Sequence, residues 1–149
     1  MSDIHSSVNC QQLWHKIFLT IKDWTVDGTA VLMGNGASAG IPPILGELCK
    51  EAIKEIEGKT GMKALHIMVN RLPAGVHVPV HIDPVKGDPF RWHLPLKTSF
   101  HCYHWDTASG VRHLSAGRWH NINYTIPHAI GNFGTEERVH LIVDLINER

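Results

Sequence analysis

The residues whose types and spacing could do chemistry begin with His81 and Asp83, in the stretch Val76-His77-Val78-Pro79-Val80-His81-Ile82-Asp83-Pro84. Read as a strand, a period of two puts His77, Pro79, His81 and Asp83 on one face and Val76, Val78, Val80 and Ile82 on the other. A neutral imidazole and a carboxylate two residues apart on a rigid strand can hold one divalent ion, provided a distant segment supplies a third ligand. The expectation is a 2-His-1-carboxylate iron site with open positions, the valines of the far face packing on a helix.

His128, in Tyr124-Thr125-Ile126-Pro127-His128-Ala129-Ile130-Gly131-Asn132, is the third-ligand candidate, and Arg138 follows it by ten residues. Two strands repeat the two-faced pattern. In Arg91-Trp92-His93-Leu94-Pro95-Leu96, Arg91 and His93 oppose Trp92, Leu94 and Leu96; in 138–145, Arg138, His140 and Asp144 oppose Val139, Leu141, Val143 and Leu145. The polar faces are expected to converge inside the fold, where an unpaired arginine is costly unless it meets a carboxylate. On the surface, Arg138 would instead pair with Glu136 or Asp144. The remaining strand histidines, His77, His101, His104, His113, His120 and His140, read singly as surface or hydrogen-bonded residues. His104, Trp105 and Trp119 are candidates for a substrate mouth, although tryptophans in a small sandwich usually serve the core.

The positioning elements follow from periodicity. Residues 1–15 read as a poorly ordered end, and Trp14 to Trp24 as a first strand or short helix. Thr29 to Met33 reads as a buried strand, and Gly34 to Gly40 as an ordinary connection, since it lacks the Lys-Ser/Thr of a phosphate loop and the dinucleotide glycine spacing. After Pro42-Pro43 comes a helix with one apolar stripe, Leu45, Leu48, Cys49, Ala52, Ile53 and Ile56, ending near Gly58. Seven strands follow, over 64–72, 76–83, 91–98, 99–105, 111–115, 119–130 and 137–146. The fold class is mainly β with an N-terminal helix: a cupin-like jelly roll, or double-stranded β-helix. The 149 residues are expected to form one domain, with helical and strand support over about 1–60 and the β-helix core over about 62–147.

Fourteen Lys+Arg balance fourteen Asp+Glu, so neither nucleic acid nor a membrane surface is an expected partner. Three scattered cysteines without CxxC spacing argue against a disulfide framework and a zinc–thiolate site. With no leader pattern and no apolar run of spanning length, the expected setting is the cytoplasm.

HVPVHIDP, RWHLPL and PHAIGNFGTEERVHLIVDL, in that order, resemble the aspartyl/asparaginyl β-hydroxylase family of Fe(II)/2-oxoglutarate-dependent oxygenases over about residues 64–147. An HxD alone is a weak signal, whereas HxD, distal His and following Arg in this order is specific. The resemblance implies that His81, Asp83 and His128 bind Fe(II), and that Arg138 pairs with the distal carboxylate of 2-oxoglutarate, with Asn70 as the small polar residue beside it. Arg91 and His93 match a strand that holds the cosubstrate's other end. The best-known animal members lack the carboxylate two residues after the first histidine, so Asp83 restores the usual triad; they also carry substrate-presenting regions that have no counterpart here. Dioxygen would take the third open position. The implied reaction hydroxylates an aspartyl or asparaginyl side chain of a peptide or protein, releasing succinate and carbon dioxide. The alternatives are a free amino acid hydroxylase, for example of proline, and a cupin-like binding protein without turnover. Oligomeric state does not follow from the sequence.

Overall fold

The computed structural model describes residues 3–27, 30–34, 40–83, 85 and 87–147. The Gly34–Gly40 connection lies largely outside them. The elements in chain order are β1 (Ile4–His5), α1 (Cys10–Thr20), β2 (Thr25–Asp27), β3 (Ala30–Met33), α2 (Pro43–Leu48), α3 (Lys50–Thr60), β4 (Lys63–Leu72) and β5 (His77–His81). They continue with β6 (Phe90–Lys97), β7 (Cys102–Asp106), β8 (Gly110–Arg112), β9 (Arg118–Ile122), β10 (His128–Asn132) and β11 (Arg138–Ile146). Two antiparallel sheets form, one ordered β1-β9-β6-β11-β4-β3-β2 and the other β5-β10-β7-β8. This is the double-stranded β-helix expected from the strand pattern.

The helical support begins earlier than the sequence suggested. Residues 1–15 were expected to be loose, yet β1 pairs with β9, and α1 starts at Cys10, its N-terminus capped by Asn9, whose side chain accepts from Gln12 N–H at 3.0 Å. Glu55 pins the intervening turn by accepting from Ser7 N–H at 2.8 Å. Leu13 and Ile17 recur at helical spacing and are buried, which settles the Trp14–Trp24 ambiguity in favour of a helix. The second helical segment is split at Cys49 into α2 and α3, but its stripe is continuous, with Leu45, Cys49, Ala52 and Ile56 all buried. It runs through Gly58 and stops at Gly61, which adopts φ 71° and donates to Glu57 O at 2.8 Å. A glycine inside a helix costs only about 1 kcal/mol, so Gly58 weakens the helix without ending it.

The helices cover the outer face of the large sheet, where α1 packs on β6 and α3 on β4. Val139, Leu141, Val143 and Leu145 of β11 and Trp92, Leu94 and Leu96 of β6 form this core with Ile67 and Val69. Each large side chain so buried contributes on the order of 1.5–3 kcal/mol. The opposite face of the same strands turns toward the small sheet and carries the polar residues.

Two strands differ from expectation. The segment 119–130 is not one strand: β9 ends at Ile122 in the large sheet and β10 begins at His128 in the small one, so the turn between them carries the chain across the roll. The valine face of 76–82 does not meet a helix. β5 is an edge of the small sheet, with Val80 58% and Ile82 52% exposed. Its register against β10 shifts between Val78 and His81, and this bulge places Val78 on the cavity side with His81 while His77 turns outward against Tyr103 and Phe133.

Candidate active site

His81 and His128 are register partners on neighbouring strands, and Asp83 lies just beyond the end of β5. One ligand atom from each of the three falls within 4.8 Å of the others. His81 Nε2 is 3.4 Å from Asp83 Oδ1, and His128 Nε2 is 3.2 Å from Asp83 Oδ2. Behind each imidazole a carbonyl accepts from Nδ1: Pro79 O at 2.7 Å for His81 and Ile126 O at 2.9 Å for His128. A carbonyl only accepts, so both Nδ1 atoms carry hydrogen: the protonated His128 donates from Nε2 to Asp83, and in the neutral form each Nε2 is the nitrogen with the free lone pair. That is the tautomer a metal needs, fixed by the backbone before any metal arrives. Burial disfavours charge at Asp83, but the hydrogen bond from His128 and the charges of His81, His128 and Arg91 outweigh it and lower its pKa. Burial likewise opposes the imidazolium of His128, and the bonds to Asp83 and Ile126 O more than offset it, raising its pKa.

The triad opens onto a cavity of about 700 Å³ between the sheets, with Asn70, Arg91, His93, His104 and Arg138 along its wall. Arg138, across from Leu72 on β4, is 3% exposed and donates from Nη2 to Asn70 Oδ1 at 2.6 Å. Neither surface partner considered for it is used, since Glu136 pairs with Lys97 and Asp144 with Arg91. Among the described residues its Nε has no partner, and burial pushes its pKa down to about 10. A buried guanidinium held by one neutral amide can receive an anion, and a planar fork is the group suited to a carboxylate. Beside a small void that shares His93, His104 and Arg138 with this cavity, His140 Nε2, both ring nitrogens of His104 and Thr98 Oγ1 are buried without hydrogen-bond partners among the described residues, His104 Nδ1 lying 3.8 Å from Asp106 Oδ2.

Arg91 is occupied differently. Its Nε and Nη2 donate to Asp144 Oδ1 and Oδ2 at 2.8 and 2.9 Å, and Nη1 reaches Asp83 Oδ2 at 3.4 Å. His93 sits between the two arginines with its Nδ1 3.0 Å from Nδ1 of His140. Burial first, then Arg91 for His93 and Arg138 for His140, push both well below the ordinary imidazole pKa. His104 lines the cavity and stacks 6.0 Å from His128; burial and Arg112 lower its pKa to about 4.

The tryptophans proposed for the substrate mouth lie elsewhere. Trp119 is fully buried on the helix side and donates to Glu55 Oε1 at 2.8 Å, because alternation along β9 sends it opposite to His120. Trp105 alternates with His104 on β7, so it falls on the outer face of the small sheet. Two further residues belong to the site: Asp144, marked in the sequence by its place on the polar face of β11, and Tyr124, whose ring lies under Arg91 at 4.9 Å. Nothing in the spacing singled out Tyr124.

A double-stranded β-helix whose inner faces present two histidines, a carboxylate and a buried arginine is a jelly roll with a candidate metal site. The model of the aspartyl/asparaginyl β-hydroxylase family matches residues 3–148, and the chain belongs to that family. At the level of that family it is an oxygenase-like enzyme. No curated protein matches it in sequence. A Pseudomonas putida prolyl-4-hydroxylase is similar with a TM-score of 0.69 at 13% identity, covering 99% of this chain and 92% of that one. An oxidoreductase of the 2OG-Fe(II) oxygenase family from Burkholderia pseudomallei gives 0.60 at 14% identity, covering 91% and 80%. Lactobacillus farciminis oxalate decarboxylase gives 0.51 at 13% identity, covering 84% of this chain but only 31% of that one. At these identities the likeness is one of fold.

Proposed function

We propose that this protein is an Fe(II)/2-oxoglutarate-dependent dioxygenase that hydroxylates an aspartyl or asparaginyl side chain in a peptide or protein. The observation that carries the reading is Arg138, a buried cation that meets no carboxylate among the described residues, in the same cavity as a preoriented His-Asp-His cluster. A protein that only held a metal would have no use for it. His81, Asp83 and His128 would hold the iron; Arg138 with Asn70 would take the distal carboxylate of 2-oxoglutarate, and His93 would meet its other end. Iron, 2-oxoglutarate and dioxygen together supply the oxidising power that converts C–H to C–OH, with succinate and carbon dioxide as co-products. The chain's own part is to place and shield. The neutral histidines His93, His104 and His140 can accept or donate hydrogen bonds without adding charge beside a dianion, and Leu32, Met68, Val78 and Ile142 provide apolar walls.

The second reading, hydroxylation of proline or another free amino acid, is favoured by those same apolar walls and by the shared fold of the prolyl-4-hydroxylase. The three cysteines are all unpaired and buried, which suits a reducing compartment such as the cytoplasm. No helix among the described residues is long and apolar enough to cross a membrane.

The test is anaerobic addition of Fe(II) and 2-oxoglutarate, watching for the visible metal-to-ligand charge-transfer band, followed by oxygen and a succinate assay with Asp- and Asn-containing peptides beside free proline. A band and peptide-stimulated succinate are expected. Stimulation by free proline alone would move the assignment to the second reading, and absence of both signals would remove the oxygenase assignment.

A further inference from the structure

The inner face carries a group that this chemistry does not use, the carboxylate of Asp144. Asp144 on β11 and Arg91 on β6 are cross-strand partners, 2% and 6% exposed, and their two parallel hydrogen bonds fix one edge of the guanidinium. The Tyr124 ring fixes its plane from 4.9 Å, and the Tyr124 hydroxyl is itself anchored by donating to Pro89 O at 2.6 Å. With edge and plane set, Nη1 has one direction left, toward Asp83 Oδ2 at 3.4 Å.

We infer that Asp144 and Arg91 form a positioning relay for the carboxylate ligand: Asp144 orients Arg91, and Arg91 holds Asp83 toward His81 and His128. The inference rests on the proposed metal site. Asp83 needs such support, because it lies past the end of β5 and its backbone is tied by Asp83 N–H to Tyr124 O at 3.1 Å. Without Arg91 its carboxylate would be held only by His81 and His128, whose Nε2 atoms must themselves turn to the metal, and ordering it would oppose metal binding. Asp144 also sets the strength of the interaction. An arginine lacking that counter-ion would present a full positive charge to Asp83 and compete with a dication, whereas the neutral pair presents an oriented N–H. Arg91 is therefore a positioning residue for the metal ligand, in contrast to the cosubstrate contact that the family resemblance implies for it.

The test reads metal binding without turnover. The metal-free chain is titrated with Mn(II), free ion being followed by electron paramagnetic resonance, and 2-oxoglutarate affinity is then measured by calorimetry at saturating Mn(II). Wild type should bind one Mn(II) per chain, and Asp144→Asn and Arg91→Lys should each weaken that binding by roughly 10- to 100-fold, with 2-oxoglutarate affinity at saturating metal unchanged. Arg91→Lys keeps the buried charge pair, so it carries the test if Asp144→Asn does not fold. Wild-type Mn(II) affinity in Arg91→Lys, or a selective loss of 2-oxoglutarate affinity with metal affinity intact, would overturn the relay while leaving the metal site standing. Failure of the wild-type chain to bind Mn(II) would overturn the metal site and the relay together.

Discussion

Arg91 and Arg138 lie on the same inner sheet face, both almost wholly buried, and they face opposite fates. Arg91 meets Asp144 through two bonds and Asp83 through a third; among the described residues Arg138 meets only the amide of Asn70, with Nε left over. Desolvating a guanidinium costs several kcal/mol in either place. At Arg91 the protein itself offsets that cost. At Arg138 the cost is carried by the rest of the fold, and the group that would relieve it is an anion from outside.

Removing each arginine breaks this comparison in opposite directions. Arg91→Met leaves Asp144 charged and buried, and should lower stability by about 3–5 kcal/mol, read from urea unfolding. The neutral histidines at the Arg138 end come next. His104 has a folded pKa near 4 against an ordinary value of about 6.5. Between those pH values the unfolded chain binds more protons than the folded one, so stability rises with pH across the window and is lost as pH falls through it. His93 and His140 act in the same direction. His104 alone is worth on the order of 3 kcal/mol. The urea midpoint should therefore drop between pH 7 and pH 4.5, and less steeply in His104→Phe.

Arg138→Met removes a charge with no counter-ion, and should be neutral or stabilising by roughly 1–4 kcal/mol while abolishing 2-oxoglutarate binding. A destabilised Arg138→Met chain would mean that this end of the cavity is internally satisfied, as the Arg91 end is. The smallest effect belongs to the opposite face of the sheet: Asn9→Ala removes the α1 cap and should lower stability by about 1 kcal/mol, with Mn(II) affinity unchanged.

The alternation of β6 and β11 was readable in the sequence because the side-chain period of two survives where strands are regular, and it placed Arg91, His93, Arg138, His140 and Asp144 on the cavity side as found. It failed in two ways elsewhere. In β5 a bulge breaks the period, so Val78 moved inward and His77 outward. At Trp119 the period held but the face was misjudged, since its pattern does not say which side of the large sheet the helices cover. The pairing of Arg91 with Asp144 joins residues 53 positions apart, and single-strand patterns hold no information about register across strands.

Arg138 either awaits a carboxylate or is satisfied within the fold. Calorimetric titration of the Mn(II)-loaded chain with 2-oxoglutarate, run on wild type and Arg138→Met with Arg138→Lys between them, measures this directly. Binding by wild type, weaker binding by Arg138→Lys and none by Arg138→Met in a folded, metal-competent chain is the predicted result. Equal affinity in wild type and Arg138→Met would contradict it.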